Sequence, residues 1–338
     1  MSKNKKNKKE KKLFKRIIKV FAVVVAVLLV TVLGASALCR ASGGKVPEKS
    51  EMTNPFITTD KALVSAHRSG ADIAPENTMM AFEYCVENKS FNVDTFEFDL
   101  HITKDDKLIL LHDDTLDRTT NAPEEFGSEE VKPITKTYEE LKALNFGENF
   151  ETSEGEYPYR GLRGEEIPEN LRVVLLEDVL DYLQNNGNFT YIIEIKDKGE
   201  AGFKAADELY RILKEKNLLE KVVFGTFNGD VTKYVDENYP DMLRSSSIFE
   251  VVVFYFAAAY SIDLNEDFYK FSALQIPTNQ YGILMLGSER VVNYAHRHNI
   301  AVQYWTINEA EEVERLNGIG ADCIMSDVPD MAYDVINK

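Results

Sequence analysis

A run of twenty residues without a charge, 20–39 (VFAVVVAVLLVTVLGASALC), follows a tail in which nine Lys and one Arg stand against one Glu. As a helix rising about 1.5 Å per residue, such a run reaches about 30 Å, the thickness of a bilayer core. It also lacks the polar stripe of a helix packed on one side of a soluble core. Basic residues crowd before the run, so the positive-inside rule keeps 1–19 cytoplasmic and exports the rest of the chain. Ala35, Ser36 and Ala37 fit a signal peptidase site, which sets a cleaved leader against a retained anchor. The run exceeds an ordinary signal core, which favours the anchor. Leu38 stands where a lipoprotein signal before Cys39 carries a small residue. The expected organisation is a basic tail (1–19), a transmembrane helix (20–39), a tether rich in Ser, Gly, Pro and Thr (40–60) and a folded domain (61–338).

Charge narrows the function of that domain. The chain carries −17 overall, yet residues 1–40, with nine Lys and two Arg against one Glu, contribute +10 and leave −27 for the rest. A domain so acidic repels a phosphate backbone, which argues against nucleic acid as a partner. A hydrophobic content of 44% excludes a disordered chain, and three cysteines exclude a disulfide scaffold.

From residue 61 onward, short β-rich runs alternate with helical patterns. The runs are ALVSAH (62–67), TFEFDLHI (95–102), KLILLH (107–112), TYIIEIK (190–196), VVFGTF (222–227), MLRSSSI (242–248), SALQIP (272–277), AVQYWTI (301–307) and DCIMSD (322–327). Strand–helix alternation over this length predicts an α/β fold, a (β/α)8 TIM-type barrel. Nine runs are one too many. The second and third flank the polar turn Lys104, Asp105, Asp106, so they form a hairpin with one arm outside the ring. Residues 117–170, acidic and carrying Gly and Pro, form a small insertion. The apolar run 249–260 is too short to span a bilayer and belongs in a core or at an interface.

Chemistry-bearing residues gather at strand ends, where barrels of this kind place their active groups. His67 and Arg68 close the first strand, with Pro75, Glu76, Asn77 and Thr78 shortly after. Imidazole suits proton transfer and guanidinium suits a phosphate, while Thr78 or Asn77 caps the next helix. Glu97 and Asp99, two apart on a strand, share one face and need a cation or a proton between them. Hard divalent ions meet that need. A hairpin turning at 105–106 sets residue 99 opposite 112, which brings His112 beside the pair. Glu194 completes a three-carboxylate site, and Lys196 on the same face neutralises an anionic substrate. Together these residues describe metal-assisted attack on a phosphate ester. His101 shares the face of Glu97 and Asp99 but is read as structural, His296 and His298 as surface residues, and Cys85 and Cys323 as packing groups.

The stretch SAHRSGADIAPENTMMAF…TFEFDLHITKDDKLILLHDDTLDRTTN (65–121) resembles the N-terminal signature of the glycerophosphodiester phosphodiesterase family. The likeness resumes at IIEIK (192–196), at Thr226 and Phe227, and at YWTIN…GADCIMSDVP (304–329). It implies a metal-dependent phosphoric diester hydrolase that releases glycerol 3-phosphate. It further implies one divalent cation, Ca²⁺ or Mg²⁺, on Glu97, Asp99 and Glu194, with His67 and His112 as the acid/base pair. Arg68 and Lys196 would hold the phosphate, and Phe227 and Trp305 would line the glycerol pocket. Ser69 departs from the pattern, since the family usually has Gly after His-Arg. The expected protein is therefore an enzyme held at the cell membrane with its catalytic domain outside. Its substrate is a small glycerophosphodiester, a lysophospholipid (a lysophospholipase D activity) or a glycerol-phosphate polymer of the teichoic kind. An inactive barrel that merely binds such groups is the rival from another class.

Overall fold

A computed structural model describes residues 2–41, 52–58 and 60–338. In chain order the strands are β1 (Leu63–Ala66), β2 (Thr95–Ile102), β3 (Leu108–Leu110), β4 (Thr190–Ile195), β5 (Val222–Gly225), β6 (Ala273–Ile276), β7 (Asn279–Gln280), β8 (Leu284–Met285), β9 (Ala301–Tyr304) and β10 (Cys323–Ser326). The helices are α1 (Ser2–Ala41), α2 (Met79–Glu87), α3 (Ala122–Phe126), α4 (Tyr138–Leu141), α5 (Leu176–Asn186), α6 (Gly199–Glu215), α7 (Gly229–Asn238), α8 (Ile248–Tyr260), α9 (Glu289–Arg297), α10 (Ala310–Gly318) and α11 (Pro329–Ile336).

Seven strands run parallel in the order β5-β4-β2-β1-β10-β9-β6. Between the two outer strands stand Arg244 and Ser245, bridged to Phe224 on one side and to Ala273 on the other. This short stave closes the expected eight-membered ring. The polar run 242–248 shrinks to a stave because its end is taken by a helix cap. Ser247 accepts from the backbone of Glu250 and Glu250 reaches back to Ser247, a reciprocal box that starts α8. Arg244, almost fully buried, ties α7 to α8 through Asp236 and Glu250. The ninth run is β3, antiparallel to β2 and off the ring. The pairing sets Leu100 against Leu110, so Asp99 meets residue 111, one short of the register expected from the turn.

Strands covered on both faces read as nearly continuous apolar runs, which is why the polar exceptions on β2 and β4 stand out. Between ring and helices lie Phe96, Phe98, Ile193 and Phe224 on one side, and Phe254, Val302 and Ile324 on the other. The insertion between β3 and α5 has a small core of its own, including Leu116, Val131, Leu141 and Phe146. His296 and His298, expected at the surface, are half-buried. His296 Nε2 lies 2.8 Å from Asp322, and the His298 ring stacks on Tyr269 at 4.2 Å. The end of α9 tucks under the barrel, which accounts for both.

Part of the expected tether belongs to the barrel. Phe56 is 3% exposed and packs with Ile192, Val223, Ala273, Ala301 and Met325 at the end where the strands begin. Residues 42–51 and 59, also in that stretch, lie outside the described residues. Phe56→Ala removes a buried ring and is expected to lower stability by about 3 kcal/mol, measured as a shift in the urea midpoint at constant m.

Candidate active site

At the end of β1 the backbone enters the left-handed region three times running, at Arg68 (φ 49°), Ser69 (φ 66°) and Gly70 (φ 93°). The turn points the Arg68 backbone N–H at Glu97 Oε2, 2.7 Å away. It also sends the Arg68 guanidinium towards Asp99 (4.0 Å) and Glu76 (3.5 Å). A few residues on, Thr78 caps α2 by accepting from Ala81 N, as expected of it. Asn77, held at φ 56°, turns inward instead and donates from Nδ2 to Asp99 at 3.1 Å.

Glu97 and Asp99 on β2 and Glu194 on β4 form the centre of the site. Parallel pairing sets Asp99 against Glu194, and one oxygen from each of the three carboxylates lies within 4.8 Å of the others. Glu97 and Asp99 are 4% and 1% exposed. Lys196 Nζ stands 3.0 Å from Glu194 and 3.2 Å from Asp99. Burial, reinforced by Asp99, pushes Glu97 up to about 8. Burial also raises Glu194 against the pull of Lys196. For Asp99 burial is outweighed by Lys196, His112 and Arg68, and the group stays below the usual carboxylate range. With Glu97 ionised, three converging carboxylates outnumber the two cations beside them, Lys196 and Arg68, and leave net negative charge at the centre. That donor set suits a hard divalent cation.

A histidine stands on either side, each oriented by a carboxylate. His67 Nδ1 is 2.6 Å from Asp327, and its Nε2 is 3.9 Å from Glu97. Burial disfavours the His67 cation, but Glu97 and Asp327 more than offset this and raise its proton affinity. Asp327 is itself held by Asn308 Nδ2 at 2.7 Å. His112 Nδ1 is 2.7 Å from Asp113, whose carboxyl is kept well below its ordinary value by His112 and Arg118. Fixing Nδ1 leaves Nε2 of each ring as the atom that gives or takes a proton.

Comparison with known proteins places the whole chain. The model of the Glycerophosphoryl diester phosphodiesterase family matches residues 67–331. The chain belongs to that family. A protein of Caldanaerobacter subterraneus named glycerophosphodiester phosphodiesterase is 27% identical over 82% of this chain and 99% of its own. Two solved structures share the fold. A glycerophosphodiester phosphodiesterase from Parabacteroides distasonis has a TM-score of 0.58 at 19% identity, covering 83% of this chain and 98% of that one. An Oleispira antarctica phosphodiesterase in complex with the product sn-glycerol-3-phosphate has a TM-score of 0.60 at 19% identity, covering 82% and 98%.

Every residue expected at the site lies at the same end of the barrel. Phe227 follows β5 and is 56% exposed, with its ring edge-on to Trp305 at 6.0 Å. His101, read as structural, is buried, with Nδ1 2.9 Å from Asp197. Sequence reasoning gave no role to Asp327 or Asn308, and it placed Asp113 and Arg118 in one cluster with His112 without the clamp that Arg118 makes on Asp113 and Glu76. Arg118 grips Glu76 at 2.7 and 2.9 Å and Asp113 at 2.5 and 3.1 Å. Acidic residues directly after a histidine and directly after a strand were the available signal.

The family departure at Ser69 has a physical meaning. Ser69 is fully buried at φ 66°, and its Oγ has no hydrogen-bond partner. A side chain there costs about 1 kcal/mol that glycine avoids. Ser69→Gly is expected to raise unfolding stability by about that amount in urea denaturation.

Proposed function

We propose that the protein hydrolyses glycerophosphodiesters to glycerol 3-phosphate and an alcohol, and that α1 holds it at a membrane with the barrel outside. The observation that carries the chemistry is the pair of histidines, each fixed at Nδ1 by a carboxylate, flanking the buried triad. Glu97, Asp99 and Glu194 would hold one divalent cation, Mg²⁺ or Ca²⁺, which when bound draws charge off the phosphoryl oxygens and stabilises the transition state.

This chain's own groups do the rest. Arg68 and Lys196 bind the phosphate, and Phe227 and Trp305 pack the glycerol end. One imidazole takes the proton from a glycerol hydroxyl as its oxygen bonds to phosphorus. The other gives a proton to the departing alcohol oxygen as its bond to phosphorus breaks. The resulting cyclic phosphate is opened by water with the two roles reversed, which restores both histidines.

Support for the anchor comes from α1, where residues Phe14–Ala41 have a mean hydropathy of 2.8 in their most apolar window, with none of that window buried. The basic residues before the run argue for the outward orientation.

Purified full-length protein with glycerophosphocholine is expected to release glycerol 3-phosphate with Mg²⁺ or Ca²⁺ and to stop on chelation. Glu97→Ala is expected to abolish release, and His67→Ala or His112→Ala to lower kcat by about 10²–10⁴. No release from folded protein with either ion would refute the reading.

Metal affinity depends on pH. In the metal-free protein Glu97 titrates near 8 rather than at its ordinary 4.5. Between those values the folded state holds a proton that the unfolded state does not, so metal-free stability falls as pH rises. A cation must displace that proton, so its affinity rises with pH up to about 8 and then levels. Calorimetric titration at pH 6.5 and 8 is expected to show tighter binding at the higher pH, by no more than about tenfold per pH unit for one proton.

A further inference from the structure

The apolar helix changes surroundings part-way along its length. Its large apolar side chains are exposed from Phe14 (64%) through Phe21 (68%) and Val30 (70%) to Leu33 (62%). Then Ala35, Ser36 and Cys39 drop to 0%, 6% and 4%. Ala35 and Cys39 belong to the buried cluster of Phe254, Tyr255 and Ala258, which is the inner face of α8. Small residues make this approach possible. A Cβ on Gly34 would lie 2.8 Å from the Tyr260 hydroxyl, which donates to the Thr31 carbonyl at 2.6 Å. Arg290 Nε donates to the Leu38 carbonyl at 3.1 Å, and Arg40 to that of Gly282 at 3.3 Å.

These contacts fix a direction. Tyr260 ends α8, at the rim where the barrel strands begin. Arg290 opens α9 and Gly282 lies in the hairpin after β6, at the rim where the strands end and the triad sits. From residue 31 to 40, α1 therefore climbs from the lower rim to the catalytic rim, and its free part leaves from the lower one. Tyr260 and Ile262, 38% and 53% exposed, stand beside that exit.

We propose that residues 14–33 are the segment embedded in lipid, and that residues 34–41 are a retained wall element of the barrel. The barrel thereby stands on the membrane with its lower rim down and its catalytic mouth away from the bilayer. Twenty helical residues, 14–33, reach about 30 Å, enough for a bilayer core. Lys15, Arg16 and Lys19 at the cytoplasmic end extend their charges to the interface. The Tyr260 ring and Ile262 meet the outer interface, where aromatic side chains are favoured. Of the small residues that resemble a peptidase site, Ala35 and Ser36 are buried as helix-packing residues, and Ala37 between them and Cys39 faces outward. The proposal rests on the membrane-held phosphodiesterase reading and deepens it. A mouth held off the bilayer serves water-soluble glycerophosphodiesters and not lipids of the same membrane.

Full-length protein in phosphatidylcholine vesicles tests this with a water-soluble maleimide, because the native cysteines are all buried. Ala37→Cys is expected to label as fast as the exposed control Ser153→Cys, and Val24→Cys at least tenfold more slowly. Protection of Ala37→Cys to the level of Val24→Cys, labelling of native Cys39, or a mature chain lacking residues 1–37 would each overturn the proposal. A fluorophore on Asp263→Cys is expected to be quenched by headgroup-labelled lipid more than one on Ser153→Cys; the reverse order would also overturn it. The kcat/KM for glycerophosphocholine is expected to exceed that for lysophosphatidylcholine in the same vesicles by tenfold or more, and equality would refute the substrate clause. Loss of all activity with the labelling pattern intact would instead count against the phosphodiesterase reading alone.

Discussion

Three carboxylates held within reach of one another inside a barrel repel, and the cost of that repulsion organises this structure. Glu97 and Asp99 are almost without solvent, so water cannot screen them. What keeps the charges tolerable is local: the Lys196 ammonium between two of them, the Asn77 amide on Asp99 and the Arg68 backbone N–H on Glu97. Arg68 and Asn77 come from the loop after β1, and Lys196 from the end of β4. The site therefore exists only when β1, β2 and β4 lie side by side, which couples the fold to the chemistry.

The backbone at the end of β1 shows the same coupling from the other side. Three successive left-handed residues are an unfavourable local conformation, kept because they bring one N–H to Glu97 and one guanidinium to the centre. The serine within the turn adds strain without adding a hydrogen bond. Stability is given up at this point in favour of placement.

Much of this was legible in the sequence because the informative signals are periodic. Acidic residues two apart within apolar strands had to share a face, and strand–helix alternation led to the barrel. Closeness of His112 to Asp99 followed from a turn, although the register came out one residue short. Less visible were features that depend on closure of the ring. Asp327 orients His67 across 260 residues of sequence, and no local pattern announces that pairing. Arg244 and Ser245 make a stave too short for any strand signal. Phe56 looked like part of a polar tether, and only the packed barrel shows the hole it fills.

The Arg118 clamp carries a consequence for how such enzymes can diverge. Arg118 stands at the start of the insertion, yet it grips both the carboxylate behind His112 and the Glu76 that approaches Arg68. The insertion is thus wired to a proton-transfer group and, through Glu76, to a phosphate-binding one. Grafting a different insertion onto this barrel would shift the tautomer and aim of a histidine along with any change of substrate. Loop exchange here is a change of acid–base chemistry as well as of pocket shape.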